Sequence, residues 1–132
     1  MNESVYVADT MALVLRLEKR RMPQRARLIF EQAEQQLATI HVPGMVLAEV
    51  GYLAEKERID TTLADVKAYL AQFSGIVEFP MRLEVVERAF EITDIPELHD
   101  RLIAGTARFL DCKVISNDPK IMASAFVRTV WS

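Results

Sequence analysis

The chain has 132 residues, 51% of them hydrophobic and 27% charged, with a formal net charge of −3. That length suffices for one domain with a real core and falls short of two of ordinary size, so a single domain over residues 1–132 is expected. No apolar run approaches the roughly 20 residues of a membrane span, and the opening MNESVYVADT lacks the basic and long apolar segments of a secretory signal. Cys112 is the only cysteine, which excludes a disulfide framework and a cysteine-rich zinc site. A cytoplasmic protein is therefore expected, with Cys112 a small hydrophobe at a helix end. The acidic total argues against a polyanionic partner, but the charge is segregated. Arg16, Lys19, Arg20, Arg21, Arg25 and Arg27 stand against one acid, Glu18, in residues 16–27. Such a run is ordinarily a solvated surface; here it is also a candidate nucleic-acid contact.

In chain order, Val5–Ala8 reads as a short strand that stops at Asp9-Thr10 before a helix from Met11 to about Lys19. Pro23 starts a second helical pattern, with Ala26, Ile29, Phe30, Ala33 and Leu37 on one stripe. Thr39–Val42 is a second strand, ended by Pro43-Gly44. Met45 to about Glu57 is helical again, with Val46, Val50, Leu53 and Ala54 on one face. Asp60-Thr61-Thr62 offers caps for a helix through Phe73, and Gly75 precedes a third strand, Ile76–Phe79, closed by Pro80. Residues 82–92 and Leu98 to about Leu110 are helical, the latter with Ile103, Ala107 and Leu110 facing the core. Lys113–Ser116 is a fourth strand, Asn117-Asp118-Pro119 opens a short helix to about Ala123, and Phe126–Trp131 is a last edge strand. Strands alternating with helices imply parallel pairing in a three-layer α/β/α sandwich, with a central, mainly parallel sheet of four to five short strands.

In such sheets ligands bind outside the carboxyl ends of the strands. Asp9 follows the first strand and Asp118 lies just beyond the fourth, while Glu49 and Asp100, on neighbouring helices, can converge on the same edge. Each has a structural explanation: Asp9 and Asp118 precede helices and can cap them, Pro119 fits a first helical position, and Glu49 and Asp100 can be exposed helix acids. As a set, however, they would repel one another unless a cation lay among them. Oxygen ligands without a histidine or cysteine partner favour Mg²⁺ or Mn²⁺ over zinc. Two such ions about 4 Å apart can activate water and neutralise both oxygens of a phosphodiester displacement. Setting these four acids aside leaves the remainder of the chain weakly basic, so the charge does not exclude RNA.

The ordered motifs VYVADT with Asp9, LAEV with Glu49, HDRLIAGTA with Asp100 and Thr106, and VISND with Asp118 resemble a PIN domain. The similarity is greatest to the VapC-like toxin ribonucleases of bacterial toxin–antitoxin pairs and spans nearly the whole chain. The resemblance implies a Mg²⁺- or Mn²⁺-dependent endoribonuclease with Asp9, Glu49, Asp100 and Asp118 as catalytic metal ligands. It further implies an RNA substrate, a cognate antitoxin and a homodimer. Thr10, Thr106 and Ser116 would be polar neighbours of the ligands, each with capping or packing as a competing explanation. Arg101 could reach phosphate, although an arginine beside an acid is more often a surface ion pair. Where relatives commonly carry a threonine and a basic residue before the last acid, this chain has Ser116-Asn117. His41 and His99 receive no role. A phosphoacceptor receiver domain fits poorly, because Asp9 has no adjacent acid and Lys113 begins the fourth strand instead of ending it. The remaining alternative is a catalytically silent PIN-like binding module.

Overall fold

A computed structural model describes residues 3–132. The elements run β1 (Val5–Ala8), α1 (Thr10–Leu17), α2 (Gln24–Glu34), β2 (Thr39–Pro43), α3 (Gly44–Glu55), α4 (Leu63–Gln72), β3 (Ile76–Phe79), α5 (Leu83–Phe90), α6 (Leu98–Leu110), β4 (Lys113–Ile115), α7 (Pro119–Met122) and β5 (Thr129–Val130). The five strands form one sheet in the order β3-β2-β1-β4-β5, every pair parallel.

This order determines where a site can form. From β1 the chain moves outward to β2 and β3, then returns past β1 to β4 and β5. Right-handed crossovers place helices on one face during the outward passage and on the other after the return. The two halves diverge between β1 and β4, and a crevice opens at the carboxyl ends of those strands. Val7 pairs with Val114 and Ala8 with Ile115, so the residues following both strands emerge side by side. The Asp9 N–H donates to the Ile115 carbonyl at 3.2 Å, extending that pairing by one residue.

The strands are short, and those at the centre are apolar on both faces, as expected of a sheet covered by helices. Val7, Ala8, Ile40, Val42, Val114 and Ile115 are fully buried. Against them pack Leu13 and Val14 of α1, Phe30 of α2, Val46 and Val50 of α3, and Ile103 and Ala107 of α6. Two glycines are required by close approach. A Cβ on Gly75 would strike the Ala33 carbonyl at the end of α2, and one on Gly105 would come within 2.7 Å of Ala89, where α6 packs on α5. Gly44, at the start of α3, lies against the Met81 backbone after β3.

Several boundaries differ from the sequence expectation. Pro43 belongs to β2 and Gly44 already to α3, so strand passes into helix without a turn. The α2 stripe ends at Ala33: Gln36 takes a left-handed φ of 64° and Leu37, beyond the helix, is 67% exposed. Leu53 and Ala54 are only partly buried. Of the last segment only Thr129–Val130 pairs as strand, and Leu110 sits at the core margin.

Candidate active site at the carboxyl edge of the sheet

Asp9 is the most buried of the four acids, 6% exposed. It is the N-cap of α1, with extended backbone, and its Oδ1 accepts the Ala12 N–H at 2.8 Å. Capping fixes the carboxylate but satisfies only part of its acceptor capacity. Burial pushes its pKa up to about 6, against opposing hydrogen bonds from Ser116 and Ala12, and the charges of Asp118 and Glu49 raise it further. Asp118 caps α7, accepting the Lys120 N–H at 2.8 Å, while its own N–H donates to Ser116 Oγ at 3.0 Å. Fully buried Ser116 thus lies between the two aspartates.

Glu49 reaches the edge from α3, where Thr10 Oγ1 donates to its Oε1 at 2.6 Å. Asp100 stands in the first turn of α6. Burial comes first among the causes that bring its pKa to about 6, followed by the charges of Asp118, Glu97, Glu49 and Asp9. The aspartates at 9 and 100 therefore both feel Glu49 and Asp118, and four acids from distant parts of the chain share one electrostatic neighbourhood. Among the described residues, no three acidic, histidine or cysteine side chains form a ready-made metal cage. The fit lies in the donor set: carboxylate oxygens held near one another at a cost, which suits a hard divalent cation.

Two neighbours were not anticipated. Glu97 is the N-cap of α6, accepting the Asp100 N–H at 2.8 Å, and its charge bears on Asp100. His99 places Nδ1 3.3 Å from Glu97 and 3.5 Å from Glu49. Neither was legible in the sequence: glutamate is not among the favoured N-cap residues, and the bridge from His99 to Glu49 joins two helices.

Other expected contacts lie elsewhere. Arg101 Nε donates to the Ile95 carbonyl at 2.8 Å, and its guanidinium lies over the Phe90 ring at 5.4 Å, away from the acids. Thr106 is buried and its hydroxyl donates to the Leu102 carbonyl at 2.9 Å, one turn back in the same helix. In the basic run, Arg16 pairs with Glu34, and the cationic side chains gather around the far end of α1 from Asp9. Buried His41 Nδ1 has no hydrogen-bond partner, and its ring meets Phe79 edge-on.

Acidic side chains gathered where a parallel sheet reverses its strand order define a class: α/β domains with an acidic site at the carboxyl edge. The profile of the PIN domain matches residues 6–126, and the chain belongs to the PIN domain family. None of the curated proteins matches it in sequence. The fold is similar to that of a chain in the Rickettsia felis VapBC2 complex bound to a DNA fragment from its promoter, with a TM-score of 0.71 and 19% identity over 97% of this chain and 99% of that one. A chain of DNA-bound VapBC from Salmonella typhimurium superposes with a TM-score of 0.68 at 15% identity, covering 98% of each. Mycobacterium tuberculosis VapC20, a toxin that cleaves the sarcin–ricin loop, gives 0.61 at 16% identity over 95% of this chain and 99% of that one.

Proposed function

We propose that this chain is a Mg²⁺- or Mn²⁺-dependent endoribonuclease and the toxin of a toxin–antitoxin pair. The observation that carries the reading is the convergence of Asp9, Glu49, Asp100 and Asp118, from distant parts of the chain, at the carboxyl edge of the sheet, where burial first and neighbouring acids second hold Asp9 and Asp100 above the usual carboxylate range. Helix capping accounts for Asp9 or Asp118 taken alone. It does not account for bringing Glu49 and Asp100 to the same place, because proximity of like charges destabilises the fold. The PIN family match and the VapBC-type fold support nuclease chemistry.

Asp9, Glu49, Asp100 and Asp118 would hold the metal. Bound there, a divalent ion supplies an activated water and neutralises charge on the phosphodiester oxygens. The chain's own residues prepare that site. Asp9 is immobilised by its cap bond to Ala12, and Ser116 sets the spacing between Asp9 and Asp118. Thr10 aims Glu49 through one short hydrogen bond, so three of the four acids are oriented by neighbours one or two residues from a ligand. His99, between Glu49 and Glu97, offsets part of the crowded negative charge when protonated.

The same reading gives the protein an RNA substrate, a cognate antitoxin, a homodimeric state and a cytoplasmic location. Among the described residues no helix is long and apolar enough to cross a membrane. Incubating the purified protein with mixed RNAs, with chelator or with Mn²⁺, tests the central claim. Discrete new ends that require the metal are expected, and they should vanish in Asp9→Asn and Asp100→Asn. Intact RNA in every arm would leave the chain a silent binding module.

A further inference from the structure

The end of α1, the loop to α2, α2 itself and α4 enclose a cleft of about 700 Å³. Arg16, Lys19, Arg20, Arg21 and Arg27 line it, opposed by a single carboxylate, Glu34. That carboxylate is already committed. Arg16 grips it through Nε at 2.9 Å and Nη2 at 2.7 Å, and the Tyr69 hydroxyl donates to it as well. Glu18, the acid within the basic run, faces the loop before α4, accepting from the Asp60 N–H, the Thr61 N–H and the Thr61 hydroxyl at 2.7–3.0 Å. Arg20 and Arg27 keep only long contacts to Glu18 and Glu31, at 3.5 and 3.6 Å. Among the described residues, Lys19 and Arg21 have no ion-pair partner. Leu15, Leu17, Met22 and Phe73 form an apolar wall beneath these charges.

We infer that this cleft binds the phosphate backbone of single-stranded RNA a few nucleotides from the bond to be cut, with a base against Phe73. The inference rests on the nuclease reading. At the carboxyl edge Asp9, Glu49, Glu97, Asp100 and Asp118 are crowded together, and Arg101 is turned away from them. Those acids repel an approaching phosphate strand, so cationic side chains elsewhere on the surface are the natural source of its attraction. One helix joins the two regions: Asp9 caps the start of α1 and the cations cluster about its end, about 10 Å along the axis from Thr10 to Leu17 at 1.5 Å per residue. A polymer with a regular repeat of negative charge can engage both. Cationic grooves with an aromatic or apolar wall are a sequence-tolerant way to hold single strands.

The test measures binding without cleavage. Fluorescent single-stranded RNA is titrated with the protein in chelator across a salt series, using wild type, Lys19→Gly, Arg21→Ser and Arg27→Ser singly, and the three combined. Lys19 has a left-handed φ of 54°, so glycine there relieves the backbone and preserves the fold. The triple variant should bind at least tenfold more weakly at low salt, and the slope of log affinity against log salt should flatten by about 2, from about 0.7 per lost phosphate contact on a single strand. With Mn²⁺ present, KM for long RNA should rise while kcat holds. Wild-type affinity and slope in the triple variant would overturn the inference, as would failure of wild type to bind RNA in chelator. Loss of binding to an acidic polyglutamate peptide, with RNA binding intact, would also overturn it and make the cleft a protein-docking face. The two readings fail separately: cleft-dependent binding without Mn²⁺-dependent cutting refutes the nuclease, and cutting that ignores the cleft variants refutes the cleft.

Discussion

Replacing Asp9 by asparagine separates what this residue does for the fold from what it does for the metal. Asparagine caps a helix about as well as aspartate, so the bond from the Ala12 N–H at 2.8 Å should persist. What disappears is a buried charge whose pKa rises from 3.8 to about 6 on folding. At 1.36 kcal/mol per unit, holding that carboxylate ionised above pH 6 costs about 3 kcal/mol. The folded-state value is the higher one, so the folded protein binds the proton more tightly. The cost is absent below pH 3.8, grows as the pH climbs toward 6 and is complete above it. In chelator at pH 7.5, Asp9→Asn should therefore be more stable than wild type by up to about 3 kcal/mol, or about 10 °C in Tm for a domain of this size. The two proteins should converge near pH 4. Added Mn²⁺ should cancel most of that difference at a hundred times its Kd, where it stabilises wild type by about 2.7 kcal/mol, and reverse the order at a thousand times, where the gain is about 4.1 kcal/mol, because the variant lacks the ligand. The assay is thermal melting with and without Mn²⁺ from pH 4 to 8. An asparagine variant no more stable than wild type at any pH would refute the burial argument, and an undiminished Mn²⁺ shift would refute the ligand assignment.

Asp118→Asn should leave the cap bond from the Lys120 N–H and the melting temperature in chelator nearly unchanged, yet lower metal affinity and RNA cleavage together; titration calorimetry with Mn²⁺ and a gel assay check both. Thr10→Val removes the donor that aims Glu49 at 2.6 Å, and cleavage should drop at least tenfold with the fold retained, whereas Thr10→Ser should restore most of it. Equal activity of the valine and serine variants would deny Thr10 a positioning role. Gly75→Ala drives a methyl into the Ala33 carbonyl and should cost about 1–3 kcal/mol or more by urea unfolding, the magnitude of forced overpacking.

Much of the architecture was legible in the sequence because its signals are local. The β-branched runs at Val5–Ala8 and Ile76–Phe79 and the 3.6-residue stripes of α2 and α6 depend on neighbours within a turn or two, and they appear where expected. Leu37 shows the limit of that method: it continues the periodic stripe, but the backbone reverses at Gln36 and leaves it in solvent.

The candidate acids could be named from the sequence because chain order places Asp9 and Asp118 after strands, and the ordered motifs carry the family resemblance. Which side chains actually meet was decided by tertiary structure. The Glu49–Thr10 bond spans 39 residues, and the closeness of Asp100 to Asp9 follows from the return of the chain past β1 to β4. Arg101 is adjacent to Asp100 in sequence but points the other way, since successive residues on a helix do not share a face. The basic run was equally visible as composition, while its separation from the acids by the length of α1 was not. Sequence fixes which charges exist and their spacing along the chain; the crossovers and the direction of each helix fix which of them come close enough, with little enough water between, to act on one another.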